Sequence, residues 1–398
     1  MAKTIFFNFP THGCINALLA TTEELVKRGE NVIYYCTEEF REKIEKTSAR
    51  FRHYPGQINE INLAHFDLFK ALKINIEMTA DKLEYLTDIV CREKPDYIIH
   101  DSLCTWGKHI AAKLNIPAVN LMHSFPISKS SVGFSPDIFY LIIQTGIYKL
   151  KSRFLRNSPL NIIRKKYQAK ISLADVFTNK EELNIVYTSK YMEPNLYHSD
   201  KGYVFVGPSL FFKNEINGFP YDKLWDKNVI YISLGTLLGN NYGFFKTCLE
   251  AFSDTPYFVV ISTGNFINPA DFGSVPVNFI IRQTLPQQKL LKHVQLFITH
   301  AGMNSVNEAV YYGVPMLLLP HTVEQKLIAA RIKQLTLGKV MDIRNVTAQK
   351  LYQNAAQLIN DSTYKKQGSE YKVLFRSEEK MSHIKAADAI LGYISGLR

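Results

Sequence analysis

The chain has 398 residues, 46% apolar and 21% charged, the make-up of a globular protein of two domains and not of a disordered or fibrous one. Lysines and arginines number 47 against 36 acids, and the net charge of +11 points to an anionic ligand, a nucleic acid or a membrane surface without choosing among them. Five cysteines scattered with no CxxC pair argue against a zinc site or disulfide frame and for a reducing compartment.

The start, Met1-Ala2-Lys3-Thr4, runs straight into an apolar strand without a signal-peptide pattern. No apolar run reaches the roughly 18 to 20 residues of a membrane-spanning helix, so a cytoplasmic protein is expected. Strands are predicted over Thr4 to Phe9 and Asn31 to Cys36, with helices over Ala17 to Arg28 and Glu38 to Lys46. Tyr97 to His100 and Ala118 to Met122 read as buried strands around a helix from Gly107 to Leu114. Such alternation calls for a parallel sheet with helices on both faces. From Pro126 to Lys170 the pattern changes to aromatics, prolines and a basic run, Lys149, Lys151, Arg153, Arg156, Arg164, Lys165 and Lys166. This reads as a helical insertion that could line or lid a pocket, its basic run a solvated face with at most peripheral membrane contact.

The pattern breaks at Gly207-Pro208, and the turn-rich segment to Lys227 reads as a linker. A second alternating set follows: strand Val229 to Leu234, helix Phe244 to Phe252, strands Tyr257 to Ser262, Phe279 to Arg282 and Leu296 to Thr299, helix Ser305 to Tyr312, and strand Met316 to Leu319. The tail from Ser377 to Leu397 is helical. Two α/β halves with a cleft between them is the simplest architecture: residues 1–207, a linker 208–227, residues 228–376, and terminal helices 377–398.

Ligands of parallel sheets bind at the carboxyl ends of strands, and the chemistry-bearing residues fall there. The segment Thr299-His300-Ala301-Gly302-Met303-Asn304-Ser305 is a strand end, a turn with a single glycine, and a helix start. Orphan amides, the positive end of a helix dipole and the side chains of His300, Asn304 and Ser305 suit a phosphate. Glu308 lies one turn further on the same face, where its carboxylate can accept two hydroxyls. Diphosphate first and ribose next is the layout a nucleotide-sugar needs, although a plain capped strand-to-helix turn has the same pattern. Ser233-Leu234-Gly235-Thr236 is a second phosphate candidate, and Pro286-Gln287 and Glu324-Gln325 border the same sheet edge.

In the first half, Gly13 lets the loop after the first strand turn and leaves His12 projecting at the strand end, where an imidazole can take a proton near neutral pH. Asp101, at the end of another strand, could orient that imidazole and stabilise its charged form. Taken singly, His12 is also a surface-loop histidine and Asp101 a helix cap. There is no G-x-G-x-x-G for a dinucleotide and no G-x-x-x-x-G-K-[ST] for a P-loop. No D-x-D offers a metal its paired carboxylates, so helix dipole, amides and His300 are expected to neutralise the diphosphate.

These residues resemble the family-1 UDP-glycosyltransferases, closest to the bacterial macrolide and natural-product branch. The match runs through Asn8-Phe9-Pro10-Thr11-His12-Gly13-Cys14-Ile15-Asn16, His100-Asp101, Ser233 to Thr236, Pro286-Gln287, Thr299 to Glu308, Gly313-Val314-Pro315-Met316, Pro320 and Glu324-Gln325. The resemblance implies a GT-B fold: two Rossmann-like α/β domains facing a central cleft, acceptor-binding first and nucleotide-sugar-binding second, with a C-terminal helix crossing back. It implies an inverting, metal-independent transfer of a sugar, glucose foremost, from a UDP-sugar to a hydroxyl of a small hydrophobic acceptor such as a macrolide, polyketide or flavonoid. No cofactor and no nucleic acid is implied. His12 would be the base and Asp101 its partner. His300, Asn304, Ser305 and Thr236 would hold the diphosphate, with Gly13, Gly235 and Gly302 at the turns. Glu308 and Gln287 would take the ribose, and Glu324 with Gln325 the sugar. Thr284 stands where the plant members have tryptophan, Met303 where many members do, and Glu324 replaces the commoner aspartate. A sugar-nucleotide epimerase or lipid-linked sugar transferase of the same fold, and a non-catalytic helper, are the alternatives.

Overall fold

The computed structural model describes residues 2–54, 68–124, 126, 143, 146–148, 150–151, 154–155, 158–166, 179–193, 201–210, 218–235, 241–265, 267–379 and 382–397. The chain divides into two compact units. Met1–Ile61, Phe66–Phe211 and Glu378–Arg398 make one, and Phe212–Ser377 most of the other.

The first unit is built on a seven-stranded parallel sheet: β1 (Lys3–Phe7), β2 (Asn31–Cys36), β3 (Arg50–His53), β4 (Tyr97–Asp101), β5 (Ala118–Met122), β6 (Leu183–Val186) and β7 (Tyr203–Phe205), in the order β3-β2-β1-β4-β5-β6-β7. Runs such as Val32-Ile33-Tyr34-Tyr35 are buried on both faces, as a sheet covered by helices on each side requires. Successive residues serve opposite cores. Phe6, Tyr34 and Ile99 pack with Leu18 of α1 (His12–Lys27), whereas Ile5, Phe7 and Ile98 pack with Leu83 of α2 (Leu68–Glu93) and Trp106 of α3 (Thr105–Leu114). Ala386, Ala387, Ile390 and Ile394 of the last helix, Ser382–Gly396, complete the α1-side core, so the C-terminus belongs to the unit that begins the chain.

From β1 the chain builds outward through β2 and β3, then returns to lay β4 against the other edge of β1, Phe7 opposite His100. The carboxyl ends of β1 and β4 are therefore the point where the winding reverses, the crevice in which such sheets take ligands.

The second unit repeats the plan with six parallel strands: β8 (Asn228–Ser233), β9 (Tyr257–Ser262), β10 (Phe279–Arg282), β11 (Leu296–Thr299), β12 (Met316–Leu318) and β13 (Gly338–Val340), ordered β10-β9-β8-β11-β12-β13. Its reversal lies between β8 and β11, with Ser233 opposite Thr299.

Several expectations need correction. Helix α1 begins at His12, five residues before the apolar periodicity, because the Thr11 side chain accepts the Cys14 N–H and caps it there. Gly13 is thus a helical residue and not the residue that turns the loop. The helix expected from Glu38 to Lys46 is a 3₁₀ turn, Glu38–Phe40, running into a short α-helix, Arg41–Glu45. Strands β3, β6, β7 and β13, three or four residues each, carry too little alternation to be seen in sequence. Of the expected insertion, Pro159–Lys166 is a helix and residues 143, 146–148, 150–151 and 154 are helical. The remainder of that reading lies outside the described residues.

Candidate active site

At the first reversal point Asp101 is completely buried and ties two loops together. Its Oδ2 accepts the Phe9 N–H from the loop after β1, and its Oδ1 accepts the Leu103 N–H from the loop after β4, at 2.7 Å. Burial pushes its carboxyl above the usual carboxylate range, against the pull of His123 and of those two amides. His123, just past β5, faces Cys14 of α1, Sγ to Nε2 3.8 Å.

His12, the first residue of α1, does not pair with Asp101. Its Nε2 stands 3.1 Å from Glu39 Oε1 and its Nδ1 3.5 Å from Lys43 Nζ, and its ring meets Phe40 edge-on with centroids 5.0 Å apart. The expected orienting role of Asp101 is therefore corrected: the carboxylate beside the imidazole comes from the turn after β2. The reason is placement: Asp101 is buried against the amides of the loops after β1 and β4, whereas the exposed Glu39 reaches the imidazole from the turn after β2. Burial, then Lys43, lowers the His12 pKa below the ordinary histidine value, and Glu39 acts against both. The imidazole is neutral near pH 7 and fit to take a proton.

At the second reversal point the helix Met303–Tyr312 starts at Gly302 with no side chain capping it, leaving the positive end of its dipole to another partner. The His300 ring lies between two glycines. A Cβ on Gly235 would stand 2.5 Å from its Cε1, and one on Gly302 2.5 Å from its Nε2. Gly302 has an ordinary φ of −67°, whereas Ala301 takes the left-handed φ of +68°. The glycine is thus required by the closeness of the imidazole, and the turn itself is made by Ala301. Burial, then His321, drives the His300 pKa down to about 4, against the Ser233 carbonyl. As it stands His300 is a neutral hydrogen-bonding group, and an anion placed beside it would raise its pKa.

One turn along, Glu308 is held by two amides: Gln287 Nε2 donates to Oε2 at 2.6 Å and Gln288 Nε2 to Oε1 at 3.0 Å. Gln287 also donates to Ser305 Oγ at 3.3 Å, and its Oε1 accepts the Tyr231 hydroxyl at 3.0 Å. Burial raises the Glu308 carboxyl, while the two amides lower it. Each carboxylate oxygen still has a lone pair for a hydroxyl. Gln288 and His321 were missed in the sequence; adjacency to Gln287 and Pro320 was the only signal.

The other residues expected here are spread more widely. Asn304 is half-buried in the first turn of the helix, and Met303 beside it is buried. Thr284 is exposed on the bend after β10. Gln325 is buried, and its Oε1 accepts the N–H groups of His321 and Thr322 at 2.8 and 3.2 Å. With Thr322 accepting the Gln325 N–H, this is a reciprocal cap on the helix Val323–Gln334. The Gln325 carbonyl oxygen is thus committed to the backbone, leaving only its amide for a ligand. Glu324 is half-buried in the same first turn, and Thr236 lies outside the described residues. Among the described residues, no group of three or more His, Cys, Asp or Glu is placed to hold a metal ion.

Comparison with known proteins bears on this arrangement. Residues 224–376, the strands and helices of the second unit, match the UDP-glucoronosyl and UDP-glucosyl transferase family. The uncharacterized UDP-glucosyltransferase YojK of Bacillus subtilis is 31% identical, covering 98% of this chain and 97% of its own. The NDP-glycosyltransferase YjiC of Bacillus licheniformis is 33% identical over 96% of this chain and 93% of its own. Among solved structures, CalG4, the calicheamicin glycosyltransferase, superposes with a TM-score of 0.79 over 99% of this chain and 98% of its own, at 24% identity, and shares the fold. Two doubly wound parallel sheets, an uncapped helix start at the second reversal point and relatives matched end to end agree: the chain is a glycosyltransferase of GT-B fold, belonging to the UDP-glucoronosyl and UDP-glucosyl transferase family in its bacterial natural-product branch.

Proposed function

We propose that the protein transfers a sugar, glucose foremost, from a UDP-sugar to a hydroxyl of a small hydrophobic natural product such as a macrolide, polyketide or flavonoid, with inversion and without a metal. The observation that carries this reading is the uncapped start of helix Met303–Tyr312 followed one turn later by the amide-clasped Glu308. Amides and dipole suit a diphosphate, and a carboxylate with a lone pair left on each oxygen suits a ribose diol. His300, Asn304, Ser305, Gly235 and Thr236 are assigned to the diphosphate, Glu308 and Gln287 to the ribose, and Glu324 with the Gln325 amide to the sugar.

His12 is assigned as the base. It takes the proton of the acceptor hydroxyl while that oxygen attacks the anomeric carbon, and the bond from that carbon to the diphosphate oxygen breaks. UDP leaves carrying the electron pair, and the sugar inverts. The neutral imidazole becomes imidazolium while the departing diphosphate gains one negative charge, so the charges balance.

A mass-spectrometric screen of small hydroxylated aglycones against a panel of UDP-sugars tests this. Glycosides of inverted configuration are expected, and His12→Ala should lower turnover by about 10²–10⁴ with UDP binding little changed. Conversion of the UDP-sugar itself without acceptor would identify an epimerase instead, and UDP binding without any product would identify a helper protein.

A further inference from the structure

Between residues 138 and 174 the sequence has eight lysines and arginines and no acidic residue, which is most of the net charge of +11 in under a tenth of the chain. The same stretch carries a row of apolar side chains on the surface. Ile143, Ile147, Leu150 and Phe154 follow one another at i, i+4, i+7 and i+11, the spacing of a single stripe on a helix. Their exposure rises from 43% at Ile143 to 83% at Phe154, and Leu155 beside them is 62% exposed. Tyr148 points elsewhere, against the core formed with Leu83 and Trp106. The following helix, Pro159–Lys166, buries Ile163 and leaves Arg164 and Lys165 exposed, as Lys151 is. The stretch is thus anchored by its inner residues and presents apolar and cationic groups outward.

We propose that this face docks the protein onto an anionic lipid bilayer, the apolar stripe entering the boundary of the acyl chains and the cations meeting the headgroups. The charge complementarity selects the occupant. A second copy of the chain would set the exposed Lys151, Arg164 and Lys165 against the same three cations. A nucleic acid would satisfy the cations but leave the stripe in water. Only a surface that is anionic outside and hydrocarbon within takes both features. The docking is peripheral, since no helix among the described residues is long and apolar enough to cross a membrane. The proposal stands apart from the transfer reaction and needs no particular sugar or acceptor.

Co-sedimentation of the full chain with vesicles tests it. Binding is expected to equimolar phosphatidylglycerol and phosphatidylcholine at low salt, about tenfold weaker or more in pure phosphatidylcholine, and weaker as salt rises. The pair Leu150→Glu with Phe154→Glu should reduce binding at least about tenfold, with the unfolding midpoint and UDP affinity of the parent. In case that variant fails to fold, Phe154→Trp keeps the apolar character, and the added indole emission should shift to the blue and be quenched by brominated acyl chains. No sedimentation with anionic vesicles, equal sedimentation with pure phosphatidylcholine, undiminished binding by the folded double variant, or an unshifted indole emission from Phe154→Trp would each overturn the proposal. So would a preference for duplex DNA over the anionic vesicles.

Discussion

Gln287 donates its side-chain amide to the Glu308 carboxylate at 2.6 Å while Gln288 takes the other oxygen at 3.0 Å, so the carboxylate is oriented before any ligand arrives. A ribose can then offer both of its hydroxyls to the remaining lone pairs, and a deoxyribose only one. An acceptor left unpaired in a desolvated site costs about 1–3 kcal/mol. The enzyme should therefore prefer UDP-glucose to dTDP-glucose by roughly ten- to a hundredfold. Glu308→Ala should remove most of that gap and weaken both donors. Competition kinetics measures it, and a gap that persists in the variant means that the base is read and not the ribose.

Gly302 bears on the same site through His300. A Cβ there would stand 2.5 Å from the imidazole Nε2, with no strain in φ to confuse the outcome. Gly302→Ala must push the ring aside at a cost of about 1–3 kcal/mol, or roughly five- to 150-fold in UDP affinity. Titration calorimetry should show that loss; unchanged affinity would remove His300 from the diphosphate site.

The pH profile tests the surroundings of His12. The base works deprotonated, so kcat/KM should fall as pH drops through its pKa, which burial and Lys43 hold below the ordinary histidine value. Lys43→Met removes a positive neighbour, makes protonation easier and should move the acid limb to higher pH. Glu39→Gln removes a negative one and should move it to lower pH. A limb indifferent to both changes belongs to another group.

Asp101→Asn should damage folding as well as turnover. The carboxylate accepts two backbone N–H groups from different loops, and an asparagine turns one acceptor into a donor facing a donor. A loss of about 1–3 kcal/mol in urea unfolding is expected. Normal stability with impaired turnover would point to a purely catalytic role.

Transfer should survive exhaustive chelation with EDTA. Complete loss restored by Mg²⁺ or Mn²⁺ would mean that a cation neutralises the diphosphate and that the helix start alone is insufficient.

The sequence alone determined the two parallel sheets and the strand ends at which chemistry gathers. Runs such as Val32 to Cys36 and Tyr257 to Ser262 are apolar on both faces, and only a covered parallel strand uses such a run, so their limits were legible to the residue or nearly so. The helix after β11 was legible too, though expected from Ser305 and found from Met303, and the position of Glu308 one turn beyond Asn304 follows from local spacing along that element. What the tertiary structure decided concerns partners distant in the chain. Glu39 and not Asp101 stands beside His12, because the turn after β2 brings Glu39 there while Asp101 is buried against the Phe9 and Leu103 amides. The His300 imidazole is neutral because burial and a second histidine suppress its charge, and Gly235 and Gly302 are required by its closeness. Gln325 is drawn into a helix cap, and the return of Ile390 and Ile394 to the first core is a matter of packing. Hydrogen-bond partners, burial and charge depend on what lies across space, and spacing along one strand or helix carries no record of them.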